Sequence, residues 1–289
     1  MIIKYNEPLF RPPAEAESLI FQVAYGCPHN TCRFCGMYKT VRYHLRSKEE
    51  IVAEIRRAAE YYPDTTRIFL ADGDVMALPF DLLDEYLTVI NESFPRLSRV
   101  NIYANGSSIL NKTKSQLEIL RHKKLNTLYT GLESGSQNVL DRFSKTESVE
   151  DMISAIQLAQ MIGFRCSVMI LLGLGGTDMQ KEHIEQTVSA LNRMKPALLS
   201  ALRYILIPGL PLPHGFQPVS ERQAIQELYH IIAGLQLDRT VFRANHTSNP
   251  LPLAGRLPAD KEKLLLQLEE EFHSNQVPDQ YRDFPIEFL

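Results

Sequence analysis

Three cysteines, Cys27, Cys32 and Cys35, fall within nine residues in a C-x4-C-x2-C spacing, and the fourth, Cys166, lies far away. Thiolates are soft ligands that suit iron–sulfur clusters, zinc or copper(I). In a reducing compartment such a group points to metal or redox chemistry and not to a disulfide framework. Three close cysteines with no obvious fourth leave one iron of a [4Fe–4S] cluster open to a ligand. Two other fillings stay open: a zinc site completed by His29 or His44, and a plant-type [2Fe–2S] centre completed by Cys166. Cys166 alternates with Val168, Ile170 and Leu172 on one face of a strand pattern, which favours a buried structural thiol.

Composition sets the frame. The chain has 289 residues, is 44% hydrophobic and 22% charged, and carries a net charge of −3. These are ordinary globular values and exclude a disordered tail, a coiled coil or a collagen-like repeat. There is no global basic excess to argue for nucleic acid. No apolar run approaches the roughly 18 residues of a membrane span. The first residues lack the charged-then-apolar layout of a signal peptide, so a cytoplasmic chain is expected.

Short β-branched or apolar runs alternate with amphipathic segments. Strands are expected over 18–24, 67–71, 100–104, 127–132, 165–172 and 198–207. Helices are expected over 47–62, 80–94, 148–162 and 178–194, with start signals at Ser47 with Glu50, Thr113 with Gln116, and Ser220 with Gln223. Alternating β and α elements indicate a parallel sheet with helical crossovers. Residues 1–213 are expected to form this body with an N-terminal arm. Residues 214–289 are expected to form a C-terminal helical extension, with helices near 220–237 and 258–273.

In such sheets ligands bind beyond the carboxyl ends of the strands. The turns expected there hold Cys27, Asp72-to-Asp74, Asn105, Glu133 with Ser134, Gly173 with Leu174, and Gly209. Asn101 and Tyr103 share one face of their strand, and polar residues on an inward face imply a cavity. Arg203 and Tyr204 point opposite ways, and one of them is expected to reach substrate. The polar stretch 241–249 is read either as a loop with a satisfied histidine or as a substrate lid carrying His246 as a general acid or base. Arg33, Lys39, Arg42, His44, Arg46 and Lys48 follow the cysteines as a basic patch, read chiefly as a solvated face and alternatively as an attractor for an anionic substrate or RNA.

The cysteine motif resembles that of the radical S-adenosylmethionine superfamily, whose commonest form is C-x3-C-x-aromatic-C. Phe34 occupies the aromatic position, and one extra residue separates the first two cysteines. LADGD at 70–74 resembles the Gly-Gly-Glu-like motif after the second strand. GLESGSQ at 131–137, LGLGG at 172–176 and IPGLP at 207–211 resemble turns of the branch that holds oxygen-independent coproporphyrinogen oxidases and methylthiotransferases. The resemblance covers about residues 18–213. It implies a partial (β/α)6 TIM-like barrel, α/β in class. It implies a [4Fe–4S] cluster on Cys27, Cys32 and Cys35, with S-adenosylmethionine on the open iron. Reductive cleavage then gives a 5′-deoxyadenosyl radical that takes a hydrogen atom from a substrate.

On this resemblance Asp72 and Asp74, with backbone around Gly73, accept from the methionine amino group. Lys145 faces the carboxylate, and Glu133 and Ser134 meet the ribose. Gly173 and Leu174 lie along the adenine, with Met37 backbone at its edge and Tyr38 nearby. Phe34 and Asn105 complete the expected cofactor residues, and His246, Arg203 and Tyr204 are the candidates nearest substrate. A small-molecule substrate is favoured over a macromolecule, with flavodoxin or ferredoxin as electron donor and no membrane partner. The second cysteine cluster that sulfur insertion needs is not seen, so a methylthiotransferase activity is disfavoured. Two readings from other classes remain: a non-catalytic iron–sulfur or haem carrier, and a zinc-stabilised α/β binding protein.

Overall fold

The structure is a computed structural model and describes residues 2–274 and 277–283. Residues 284–289, the end of the expected extension, lie outside the described residues. A short 3-10 turn, Pro13–Glu15, precedes β1 (Leu19–Gln22), β2 (Ala24–Tyr25) and β3 (His44–Leu45). Then come α1 (Lys48–Tyr61), β4 (Arg67–Ala71), α2 (Phe80–Ser93), β5 (Arg99–Tyr103), α3 (Gly106–Leu110), α4 (Lys114–His122) and β6 (Leu125–Glu133). These are followed by α5 (Gln137–Arg142), α6 (Val149–Ile162), β7 (Arg165–Leu172), α7 (Gln180–Met194) and β8 (Leu198–Arg203). The chain closes with α8 (Glu221–Gly234), β9 (Thr240–Ala244), β10 (Leu253–Leu257) and α9 (Lys261–His273). All six expected strands are present, and β and α alternate as an α/β fold requires.

The helix starts follow their caps. Ser47 accepts the Glu50 N–H at 3.2 Å, and Ile51, Ile55 and Ala58 then form the buried stripe of α1. Thr113 with Gln116 and Ser220 with Gln223 form reciprocal capping boxes on α4 and α8. Among the described residues no helix is long and apolar enough to cross a membrane.

The chain divides into two compact units. The first comprises residues up to Asn30, Met37–Thr130 and Ser154–Cys166; the second comprises Thr31–Gly36, Gly131–Ile153 and Ser167 onward. In the first unit β1 pairs parallel with β4, β4 with β5, and β5 with β6. Its interior is not the cavity expected behind Asn101 and Tyr103. The N-terminal arm returns to fill it, and Glu15 is only 2% exposed. Glu15 Oε1 accepts from Asn101 Nδ2 at 2.7 Å and from the Tyr129 hydroxyl at 2.5 Å, while Ser18 donates to Oε2 at 2.6 Å. Tyr103 packs edge-on to Phe69 and Tyr129, with Leu9 and Ile20 against the same cluster. The inward polar face is therefore satisfied by protein groups, as buried polar groups must be.

In the second unit β7 pairs parallel with β8, β8 with β9, and β9 antiparallel with β10. The extension thus adds a β-hairpin to the two helices expected of it. Residues 241–249 are not a free lid: Thr240, Phe242 and Ala244 face inward on β9, and Arg243 faces out. After β9, Asn249 Nδ2 donates to Ala201 O and Ala244 O, both at 2.8 Å, which ties the turn to its neighbouring strands.

Candidate functional site

The turn after β4 lies against the start of the cysteine loop. A Cβ on Gly73 would stand 2.6 Å from Cys27 Cα and 2.8 Å from Gly26 O, so only glycine permits this approach. Asp72 is 2% exposed. Its Oδ2 accepts from Gln22 Nε2 at 2.8 Å and from Gly26 N–H at 3.1 Å, and its Oδ1 faces the Tyr38 hydroxyl at 3.4 Å. Burial pushes its pKa up to about 6, against those three hydrogen bonds. Asp74 accepts from Asn105 N–H at 3.2 Å and from the Ser108 hydroxyl, and lies 2.9 Å from His29 Nε2. Both carboxylates expected to meet an amino group are thus engaged by the chain itself. They brace the loop around Gly73.

Tyr38 is buried, with its ring edge-on to Phe10 at 5.4 Å and its hydroxyl pKa raised by burial and by Asp72. Its carbonyl accepts from Asn30 Nδ2 at 2.6 Å, and Lys39 Nζ reaches Asn30 O at 2.7 Å. Met37 and Asn105 are half-buried in the same unit. In the basic patch, Arg46 is not a surface charge: it is 8% exposed and paired with Glu54 at 3.0 Å. Arg33, Arg42, His44 and Lys48 are exposed.

The second unit holds Cys32 and Cys35. Both are half-buried and pack against an aromatic cluster of Phe34, Phe143, Tyr204 and Phe216. Arg33 N–H donates to Phe143 O at 2.8 Å, so Phe34 anchors this end of the loop in that cluster. Leu174 belongs to the same core, fully buried.

Glu133 ends β6 with φ of +64° and is 5% exposed. Its carboxylate folds back over Gly131, where a Cβ would overlap Oε1. Its Oε2 is buried without a hydrogen-bond partner. Burial pushes its pKa up to about 7, opposed by the Lys145 ammonium. Lys145 is 6% exposed, and its Nζ lies 6.0 Å over the Phe34 ring. A buried carboxylate oxygen with no donor is costly unless a ligand supplies one.

Three expected ligand or substrate residues are engaged internally. Ser134 is fully buried; its Oγ lies 2.7 Å from His183 Nδ1 and accepts Ser136 N–H at 3.0 Å. Arg203 is 2% exposed and donates to Leu172 O and Val219 O at 3.2 and 2.6 Å, so its guanidinium is engaged by the chain itself. Tyr204 packs edge-on to Phe143 at 5.3 Å and is 3% exposed, so it too is a core residue. His246 is half-buried in the turn after β9, with Nδ1 2.8 Å from Ser248 Oγ and its pKa lowered by burial. Gly173 turns at φ of +82° after β7, and its N–H donates to Glu227 at 2.6 Å.

Gln22, Ser108, His183 and Glu227 escaped the sequence reading. Two of them left a signal. His183 stands on the face of α7 shared with Thr187, Ala190, Leu191 and Met194, and Glu227 stands among Ala224, Leu228 and Ile231 on α8. A charged residue inside an apolar stripe announces a buried polar contact.

Among the described residues no group of three or more His, Cys, Asp or Glu side chains is arranged to hold a single metal ion. The donor set still suits a cluster, whose thiolates bind different irons. In the first unit Gly73 lies flush against half-buried Cys27, and in the second the half-buried thiols of Cys32 and Cys35 and the orphaned Glu133 oxygen are the groups that a cluster and a hydroxyl-bearing ligand would engage.

A model of the Radical SAM superfamily matches residues 21–191, more than half of the chain. The chain belongs to the radical SAM superfamily. The heme chaperone HemW of Bacillus subtilis is 22% identical over 223 residues, covering 71% of this chain and 56% of that protein. The anaerobic magnesium-protoporphyrin IX monomethyl ester cyclase of Rubrivivax gelatinosus is 25% identical over 202 residues, covering 66% of this chain and 34% of that protein. This radical SAM chain spans about half or less of the length of the curated relatives it matches. Among solved structures, coproporphyrinogen III oxidase (HemN) from Escherichia coli is similar with a TM-score of 0.60 at 18% identity, over 75% of this chain and 51% of that one. Methylornithine synthase (PylB) is similar with a TM-score of 0.54 at 16% identity, over 88% and 81%. The architecture is accordingly the parallel sheet with flanking helices of a partial (β/α) TIM-like barrel.

Proposed function

We propose that this radical SAM chain is an enzyme that holds a [4Fe–4S] cluster on Cys27, Cys32 and Cys35 and binds S-adenosylmethionine beside it. The single observation that carries the reading is Glu133: a buried carboxylate whose Oε2 has no donor, at the end of β6, with Lys145 as its nearby opposite charge. Cys27, Cys32 and Cys35 would hold the cluster, which when bound would supply one-electron reduction of S-adenosylmethionine and so the initiation of hydrogen-atom transfer from a substrate.

The chain's own residues do the rest. Glu133 accepts from ribose hydroxyls, which turns a buried orphan into a charge-assisted contact. Lys145, screened from water over Phe34, faces the methionine carboxylate. Main-chain carbonyls around Gly73 accept from the amino group, with Asp72 and Asp74 bracing that turn. The Gly173 turn supplies main chain along the adenine. Phe34 and its aromatic neighbours exclude water from the thiol side of the loop, which protects a reactive intermediate from quenching.

The coproporphyrinogen-oxidase-like branch is the placement we favour, on the GLESGSQ and LGLGG turns and the likeness to HemN. A small-molecule substrate and a flavodoxin or ferredoxin donor belong to the same proposal, as does a cytoplasmic setting. The likeness to a heme chaperone favours a second reading, a carrier that keeps the cysteines without turning over S-adenosylmethionine. The two part on Glu133→Gln. In the anaerobically reconstituted enzyme it weakens S-adenosylmethionine binding about tenfold or more while iron content stays unchanged. Wild-type protein that carries about four irons yet binds no S-adenosylmethionine supports the carrier instead.

A further inference from the structure

Three fully buried polar side chains on separate elements of the second unit form one connected line. Ser134 Oγ lies 2.7 Å from His183 Nδ1, and His183 Nε2 lies 3.2 Å from Glu227 Oε1. That same oxygen accepts the Gly173 N–H at 2.6 Å, and Gln180 Nε2 donates to Glu227 Oε2 at 3.1 Å. Ser134, His183 and Glu227 are all 0% exposed. The His183–Glu227 contact is a close approach and not an aligned hydrogen bond, because His183 Nε2 has no hydrogen-bond partner.

A serine, histidine and acid in line suggest a hydrolase, and burial argues against that here. Ser134 Oγ is enclosed and already accepts Ser136 N–H at 3.0 Å, so no substrate carbonyl reaches it. What the line does is join two loops. One end is Ser134, the residue after Glu133. The other is the Gly173 turn.

A second contact on that turn comes from Arg203 at the end of β8, which α8 touches through Glu221. A Cβ on Gly173 would overlap the Arg203 guanidinium, so the turn sits flush on it. Arg203 donates to Val219 O at 2.6 Å and lies 3.4 Å from Glu221 Oε1. Glu221 and Glu227 both belong to α8, and α8 lies beyond residue 191, where the superfamily match ends.

We propose that α8 completes the nucleoside side of the cofactor site, with Glu227 as the positioning residue that sets the Gly173 turn and, through His183 and Ser134, the end of β6 that carries Glu133. This rests on the reading above that S-adenosylmethionine binds at Glu133 and Gly173.

The test uses the full reconstituted protein and S-adenosylhomocysteine, which lacks the sulfonium and is not cleaved. Equilibrium dialysis measures its binding, and hydrogen exchange measures the Gly173 amide. Glu227→Ala is expected to weaken binding at least tenfold and to unprotect Gly173, with iron content kept. Glu227→Gln retains an acceptor for Gly173 N–H and is expected to bind within about threefold of wild type. Gln180→Ala removes the half-buried brace on Glu227 together with a hydrogen bond to Gln223 O at 3.2 Å, and is expected to weaken binding about threefold. It decides the matter if Glu227→Ala does not fold. Wild-type binding in Glu227→Ala or Gln180→Ala overturns the inference, as does equal weakening by Glu227→Ala and Glu227→Gln. Wild-type protein that binds no S-adenosylhomocysteine overturns the cofactor reading instead, and the inference with it.

Discussion

Replacing Glu133 with glutamine removes a buried carboxyl and keeps its shape, so its effect on stability isolates one titration. The ordinary value of the group is 4.5, and burial raises it to about 7 in the folded chain. A raised folded-state pKa means that the native protein holds the proton more tightly than the unfolded chain. Its contribution is complete below pH of about 4.5 and is lost as pH rises through about 7. Each pH unit between those values removes about 1.4 kcal/mol, so the loss reaches about 3 kcal/mol by pH 8. Glutamine carries no such loss. With no ligand bound, Glu133→Gln is therefore expected to gain about 2–3 kcal/mol over wild type between pH 4.5 and pH 8. Urea denaturation of both proteins at each pH measures it, and groups common to both cancel in the difference. A difference that does not change with pH would refute the reasoning, since it would mean that Glu133 stays ionised and solvated in the folded chain.

Gly131→Ala is expected to displace the Glu133 carboxylate, because the new Cβ overlaps Oε1, the end of a flexible side chain. Binding of S-adenosylhomocysteine should fall about tenfold, with the melting midpoint little changed; retained affinity would contradict the placement. Phe143→Ala empties the centre of the aromatic cluster, where Phe143 meets Tyr204 and Phe216 at 5.3 Å each. It should cost about 3–5 kcal/mol in denaturant unfolding, and a loss below about 1 kcal/mol would show that the cluster is not packed as described. Glu15→Ala strands the donors of Asn101, Tyr129 and Ser18 in the interior of the first unit. A loss of about 3 kcal/mol or more is expected, at about 1–3 kcal/mol for each donor left without an acceptor. Wild-type stability would mean that water replaces the carboxylate.

Much of the fold was legible because its signals are local. The apolar runs at 67–71, 100–104 and 165–172 became β4, β5 and β7 nearly residue for residue. Cys166 alternates with Val168 and Ile170 and is fully buried in β7, with burial pushing its thiol up to about 12. What escaped depends on distant partners. The pattern Thr240, Phe242, Ala244 is a strand pattern only once β8 is beside it, and its Arg243, Asn245 and His246 look like a loop by composition. Asn101 and Tyr103 implied a cavity, since nothing in their own strand announces that Glu15 and Leu9 return to fill it. In the site, the glycines and Glu133 were read from turn chemistry. Asp72, Asp74 and Ser134 lie in the turns expected of them and Arg203 ends β8, but each is held by hydrogen bonds within the chain that its sequence neighbours do not announce. A side chain's type does not say whether the chain itself engages it.

The most direct measurement is anaerobic reconstitution with iron and sulfide, reduction, and incubation with S-adenosylmethionine, with 5′-deoxyadenosine as readout and Cys32→Ala alongside. The proposed enzyme gives 5′-deoxyadenosine in the wild type and none in the variant, with about four irons bound per wild-type chain, as one [4Fe–4S] cluster requires. Zinc bound in place of iron, or equal product from both proteins, would contradict it.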